Sequence, residues 1–334
     1  MNSKPSGYRA LESCCTLLAM LAFTSCARRD QPRQIVSQQS PKTLAQLLAL
    51  SPSDNQRNDI ALINLLCAEG LPGTEHLNVS DNLATLDTWA ERIQSETDRN
   101  LYRYRANPRD FENSEAYFRM LIMAAVVYDD CRVRYNPDRI SAPGEADSGE
   151  QFFADSADIF LHGLLGPRRM GTCSSMPVLY IALGRRLGYP LKLVATKSHL
   201  FIRWEGDAER FNLEATGRGM NKYDDAHFRK WPFPVSDEEI KTDGYLKSMT
   251  PSEELACFLS LRGHCLIANG RLPEAVAAYA HAAHLAPATR AYQALLADAQ
   301  NRQYPVQNRP VTLPRAAVPA TAGPPDPNPI LGIR

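Results

Sequence analysis

Three side chains in this sequence have the types and the placement for nucleophilic acyl chemistry: Cys173, His199 and Glu214. Cys173 stands at the front of GTCSSMPVLYIALGRRLGYP, residues 171–190, whose apolar run reads as a buried helix. Pro177 belongs in the first turn of that helix, because deeper inside it would remove a hydrogen bond and clash with the preceding turn. The helix therefore starts near Cys173 or one to two residues later, and Gly188 and Pro190 end it. A thiol at a helix N-terminus meets unpaired N–H groups and the positive end of the helix dipole, and both favour the thiolate.

The two partners lie in SHLFIRWEGDAERFNLEAT, residues 198–216, two strand-like runs joined by Gly206-Asp207. A glycine at the first central position suits a two-residue type II′ hairpin. Centred there, Leu200 faces Leu213 and Ile202 faces Phe211 on one buried apolar side. On the other side His199 falls directly opposite Glu214, with Cβ atoms about 4.5–5.5 Å apart, and Arg203 opposes Arg210. A carboxylate so placed holds one imidazole nitrogen and fixes its tautomer. Thiol, imidazole and carboxylate in this relation make an acyl-transfer triad. Cys173 attacks a carbonyl, His199 shuttles the proton and Glu214 orients His199. The Cys173 N–H can donate to the oxyanion; the sequence identifies no second donor.

The rest of the chain must supply the frame. It has 334 residues, with 37 basic and 37 acidic side chains, and this balance argues against a nucleic-acid surface. No GxxxxGK[ST], HExxH or CxxC motif is present, so neither an organic cofactor nor a metal is expected. His281 and His284 share a helix face without a third ligand and read as packing. The same holds for His264 beside Cys265.

Residues 43–140 read as helical. NDIALINLLCAEGLPG and SEAYFRMLIMAAVVYDDC are strongly apolar. SDNLATLDTWAERIQ offers Ser80 or Asp81 as a cap and Leu83, Leu86 and Trp89 as a stripe. Residues 141–250 form a mixed core: the loop YNPDRISAPGEADSGE leads into it, EQFFADSADIFLHGLL is one helix, and LKLVAT, HLFIRW and RFNLEAT are strands. Helices return over 251–302, and the Pro-rich 303–334 reads as disordered. The fold class is α+β.

At the N-terminus, CCTLLAMLAFTSC is too short to span a bilayer as a helix and ends in small residues, as a secretory signal over 1–25 would. Phe23-Thr24-Ser25-Cys26 resembles a bacterial lipobox, which makes Cys26 the lipidated residue and 26–42 a polar tether. The expected place is then the periplasm, anchored to the outer membrane; the alternative is a cytoplasmic protein with an N-terminal helix. With that segment removed, Cys67, Cys131, Cys173, Cys257 and Cys265 remain besides the anchor, an odd number, so at least one cannot pair within the chain.

Gly171-Thr172-Cys173 opening a helix, a strand-borne His199, and Glu214 before Ala-Thr together resemble the bacterial transglutaminase-like superfamily. DSADIFLHGLLGPRRMG and LGRRLGYPLKLVATKSHLFIRW look closer to its SirB-type branch, and the resemblance spans residues 58–231. It implies a papain-like α+β fold and a Cys–His–acid triad on Cys173, His199 and Glu214. The chain departs in using Glu where many members have Asp, and in placing Ser174 where an aromatic commonly follows the cysteine. Leu259, Gly263, Leu266, Gly270, Ala275, Tyr279, Ala282 and Pro287 resemble a tetratricopeptide repeat, with Arg262 at a usually apolar position. One repeat must dock on the catalytic domain or receive a cap from TRAYQALLADAQ; docking is the more economical. The expected function is a cysteine acyl-transfer enzyme acting on an amide or peptide bond of a protein or peptide, with the repeat offering a surface to a protein partner. The other reading is a non-catalytic binding scaffold, since a fold alone does not fix a chemistry.

Overall fold

The computed structural model describes residues 40–51, 54, 57–140 and 149–303, which fall within one unit, Val36–Arg334. The signal segment, Cys26, nearly all of the tether, residues 141–148 and the tail beyond residue 303 lie outside the described residues. No described helix is long and apolar enough to cross a membrane.

After a short α1 (Leu44–Leu48), Asp59 caps α2 (Ile60–Ala68), its side chain accepting from the Ala61 N–H. All nine residues of α2 are buried, as expected of a helix apolar on every side. Next is α3 (Val79–Ala106), whose cap is Asn78, two residues ahead of Ser80 and three ahead of Asp81, the expected caps; its side chain accepts from the Asp81 N–H and so takes the capping role. Leu86 and Trp89 are buried on the expected stripe. Ser114 caps α4 (Glu115–Ala125), which runs into a π-helical turn, Val126–Asp130.

The sequence predicts that Tyr135 begins a loop. It is instead the end of a two-residue strand, β1 (Arg134–Tyr135), parallel to β2 (Met170–Gly171), with Tyr135 abreast of Gly171. The single helix expected between these strands is three short ones, α5 (Gly149–Phe152), α6 (Ser156–Ile159) and α7 (Leu161–Leu165). Asp155 starts α6 by accepting from the Ala157 N–H. Gly163 lets the chain fold back so closely that a Cβ there would lie 1.7 Å from the Ala157 carbonyl oxygen.

The helix α8 (Met176–Arg186) carries Pro177 in its first turn and is followed by Gly188 at φ +75°, a conformation that suits a residue without Cβ. A four-stranded antiparallel sheet follows in the order β3 (Leu191–Thr196), β4 (His199–Glu205), β5 (Arg210–Glu214), β6 (Asn221–Tyr223). Its fourth strand was not anticipated. The β4–β5 register differs from the expected one by two residues: Ile202 faces Leu213, Arg203 faces Asn212, Trp204 faces Phe211 and Glu205 faces Arg210. The loop is four residues, 206–209, closed by the Gly206 N–H donating to the Glu209 carbonyl at 3.0 Å. This register removes the Arg203–Arg210 opposition and sets Arg210 against Glu205. A shift of two leaves every side chain on its expected face. Leu200, Ile202 and Leu213 pack into the main core, while Phe201 stacks on Phe228 at 3.8 Å in a smaller cluster with Val194.

The chain continues through α9 (Asp225–Phe228) and α10 (Asp237–Asp243) to α11 (Pro251–Ala268), α12 (Leu272–Leu285) and α13 (Arg290–Gln303). The helical pair is both docked and capped: α11 packs on α2, and α13 covers α12. Gly263 lies under the Tyr279 ring, where a Cβ would come 2.4 Å from Cε1. Arg262 donates to the Cys67 and Glu69 carbonyls at 2.9 and 2.6 Å, binding carbonyls at the end of α2. Arg185 and Arg186 are docking residues. Arg185 forks onto the buried Glu254 of α11, and Arg186 bonds Asp59 and Asp87. One core cluster runs from Leu62 through Ile181 to Phe258, across all three helical and mixed regions. The molecule is α+β, with helices predominating.

Candidate active site

Cys173 lies in a tight turn between β2 and α8, half-buried. Its helix begins at Met176, slightly later than expected, because residues 172–175 form that turn: the Ser175 and Met176 N–H groups both donate to the Thr172 carbonyl, at 3.2 and 3.0 Å. The Ser174 N–H donates to Thr172 Oγ1 at 3.3 Å. The N–H groups expected to face the thiol are thus already bonded, which leaves an imidazole as its cationic partner.

The turn is held from behind. Thr172 and Ser175 hydroxyls donate to the Asp158 carbonyl at 2.8 and 3.2 Å, while the buried Asp158 carboxylate accepts from Asn136, Arg139 and Arg168. Gly171 is needed here, since a Cβ would sit 2.4 Å from Ser175 Oγ and 2.7 Å from Leu164 Cδ2.

His199 opens β4 and Glu214 closes β5. His199 Nε2 and Glu214 Oε2 are 2.7 Å apart, and the two side chains are only 4% and 1% exposed. The Cys173 thiol lies within hydrogen-bonding reach of the ring, and Nδ1 is the nitrogen that Glu214 leaves open. Burial opposes a charge on this imidazole, but the Glu214 carboxylate and the bond to Cys173 outweigh it and push the pKa up to about 10. For Glu214, burial raises the pKa, yet His199 and Thr216 together hold it below the ordinary carboxylate value.

The structure brings together all three residues singled out from the sequence. It also adds residues that the sequence reading did not assign to the site. Thr216 donates its N–H and its hydroxyl to Glu214 Oε1 at 2.8 and 2.6 Å, so both carboxylate oxygens are occupied. Tyr128, in the π-helical turn, donates to the Thr216 carbonyl at 3.3 Å. Trp231 meets the His199 ring edge-on at 4.6 Å, and His227 and Tyr223 continue this aromatic patch, stacked on each other at 3.9 Å.

Tyr135 is the most consequential addition. Its hydroxyl lies within reach of the Cys173 backbone N–H. Burial raises its pKa, and Cys173 and Glu214 nearby raise it further. A two-residue strand leaves no periodicity, so no local signal could have marked it.

Other residues are elsewhere. Trp204 is on the opposite side of the sheet, stacked on Phe211 at 6.0 Å, and does not border the cluster, whereas Phe201 is fully buried on the His199 face and stacks on Phe228, whose ring lies 6.4 Å from that of His199. Asn212 is buried between Arg203 and Asp225 at 2.7 Å from each. Cys67, Cys257 and Cys265 are buried, and burial pushes their thiols up to about 12. Burial does the same to Cys131. Burial also lowers His264 to about 4; it lies against Phe153 and bonds Tyr279. Among the described residues no group of three His, Cys, Asp or Glu could hold a metal ion. A cleft lined by Arg92, Glu96, Arg99 and Asp130 shares no residue with the Cys173 cluster, and both arginines are paired to these acids.

No protein family and no curated protein matches the chain. Among solved structures, a crystal structure of menin, described as revealing the binding site for Mixed Lineage Leukemia protein, aligns with a TM-score of 0.31 and 14% identity, covering 79% of this chain and 67% of that one. A likeness of that size carries no argument about this chain.

Proposed function

We propose that the protein is a cysteine acyl-transfer enzyme of transglutaminase-like type, acting on amide or peptide bonds of a protein or peptide. The observation that carries this reading is the convergence of three separate segments on one imidazole. The β4 residue His199 lies between the β5 carboxylate of Glu214, at 2.7 Å, and the thiol of Cys173 ahead of α8. Helix α8 packs on the sheet that carries the other two residues, the relation a papain-like core requires.

The chemistry follows from the geometry. His199 takes the thiol proton at Nδ1 and holds it as an imidazolium that Glu214 stabilises. The Cys173 sulfur attacks the carbonyl, and His199 returns the proton to the leaving amine, giving a thioester. Water or an amine then takes the acyl group. A buried structural thiol would need neither a carboxylate-held imidazole nor partial exposure. The lipobox-like Phe23-Thr24-Ser25-Cys26 supports a periplasmic lipoprotein, and labelled-lipid incorporation at Cys26 tests that part.

The central test is alkylation of Cys173 by iodoacetamide as a function of pH, read by mass spectrometry against the other thiols. Rapid labelling well below about pH 8.5, the region of an ordinary thiol, lost in His199→Ala, is the expected result. Labelling no faster than an ordinary thiol would leave the binding scaffold as the better account.

A further inference from the structure

The acyl-transfer reading leaves one requirement open. The tetrahedral intermediate carries an oxyanion, and the Cys173 N–H is one donor to it; efficient catalysis calls for a second, aimed at the same point.

We propose that Tyr135 is that donor: a catalytic residue whose phenolic O–H bonds the oxyanion formed at Cys173. The proposal rests on the acyl-transfer reading above. Three observations support it. The β1–β2 register sets Tyr135 abreast of Gly171, two residues before the nucleophile, and the Arg134 and Asn136 N–H groups fix that register by donating to Arg169 and Gly171 carbonyls, each at 2.8 Å. Second, the Tyr135 hydroxyl oxygen sits within reach of the Cys173 N–H. An oxygen beside that N–H is in the neighbourhood where a substrate oxyanion must form if the N–H is to stabilise it. Third, burial and the nearby Cys173 and Glu214 raise the phenol pKa. Tyr135 therefore keeps its proton at neutral pH and acts as a donor, not as a base.

The step balances without any added reagent. As the sulfur–carbon bond forms, the carbonyl π pair moves to oxygen. That oxyanion replaces the tyrosine oxygen on the Cys173 N–H and accepts from the Tyr135 O–H. On collapse the pair returns to the carbonyl, the bond to the leaving group breaks, and His199 supplies the leaving group with its proton. Tyr135 ends the cycle protonated, as it began.

The test compares two reactions of the same thiol in the full chain. Acylation by p-nitrophenyl acetate passes through an oxyanion; alkylation by iodoacetamide does not. In Tyr135→Phe the acylation rate should fall at least about tenfold, toward the effect of losing one hole donor, with alkylation unchanged within about twofold. An unchanged alkylation rate also reports an intact site. Tyr135→Gln, which restores a donor, should recover part of the loss. Three outcomes overturn the proposal: equal falls in both reactions, no change in acylation, or faster acylation, which would mean that the hydroxyl blocks the N–H. If the wild-type thiol neither acylates nor alkylates faster than an ordinary cysteine, the acyl-transfer reading itself fails, and the proposal falls with it.

Discussion

Glu214 holds His199 diagonally across the β4–β5 ladder, Oε2 to Nε2 at 2.7 Å, from a position two residues off direct opposition. Diagonal neighbours on a sheet face are about 7–8 Å apart, within reach of long side chains only. The choice of glutamate follows from this register: its extra methylene spans a gap that aspartate would leave open.

Glu214→Asp should therefore behave more like Glu214→Gln than like the wild type. With the thiol removed by Cys173→Ala, the His199 ring should still titrate above its usual 6.5, because the carboxylate remains. Adding Glu214→Gln leaves burial unopposed and should bring the midpoint below 6.5; adding Glu214→Asp should lower it in the same direction. Proton NMR of the ring reads each midpoint. An aspartate variant titrating like its parent would show that the reach of glutamate is immaterial.

The same shift sets a pH dependence of stability. In the Cys173→Ala protein, folded His199 holds a proton above 6.5 that the unfolded chain has released. Its contribution is fully present below pH 6.5 and is lost as pH rises through the folded pKa, which lies below the wild-type value of about 10 because the bond to Cys173 is gone. The slope is at most about 1.4 kcal/mol per pH unit. Glu214 acts at the other end: its depressed pKa contributes above the unfolded carboxylate value and is lost as pH falls through its folded one. Urea denaturation across neutral to alkaline pH, compared with Cys173→Ala/His199→Gln, should show the alkaline decline flattened in the double variant. Parallel curves would contradict a cationic His199.

Thr216 carries a prediction of its own. Its hydroxyl donates to Glu214 Oε1 at 2.6 Å inside the protein. Thr216→Val keeps the shape and removes the donor, at a cost of about 1.5–3 kcal/mol for a bond to a charged group. The loss should shrink at acid pH, once the carboxylate is protonated and no longer needs the bond. Denaturation at neutral and at acid pH measures the difference, and an equal loss at both would mean that the methyl contacts, not the charge, matter.

The sequence made some of this legible and concealed the rest for physical reasons. Side chains alternate across a strand, so assigning Leu200, Ile202 and Leu213 inward was enough to put His199 and Glu214 together on the other side, even though the loop is four residues rather than two. A slip of one residue would have separated them. Pro177 placed the start of α8 nearly correctly, because its missing N–H is a local property. Tyr135 and Thr216 were hidden because their roles are made by tertiary contact: a two-residue parallel strand in one case, a turn beyond β5 in the other. The broken helix over residues 149–165 shows the same limit, since Gly163 is required by a close approach to Ala157 that no hydrophobic pattern records. The docking roles of Arg185 and Arg186 are not legible in the sequence, because Glu254, Asp59 and Asp87 are far away in it.

Arg262 gives the clearest contest between a repeat pattern and the structure. The repeat pattern asks for an apolar residue at this position, so Arg262→Leu should stabilise if the pattern governs. The structure argues the reverse. Arg262 binds the Cys67 and Glu69 carbonyls at the end of α2, groups that a helix cannot satisfy within itself. Leucine would leave them buried without this partner, at a cost of about 1.5–3 kcal/mol for bonds to a charged donor. The loss should appear locally, as faster amide exchange at the α2–α11 contact, with α12 and α13 less affected. A variant as stable as the wild type, with unchanged exchange there, would mean that α11 docks on α2 by apolar packing alone.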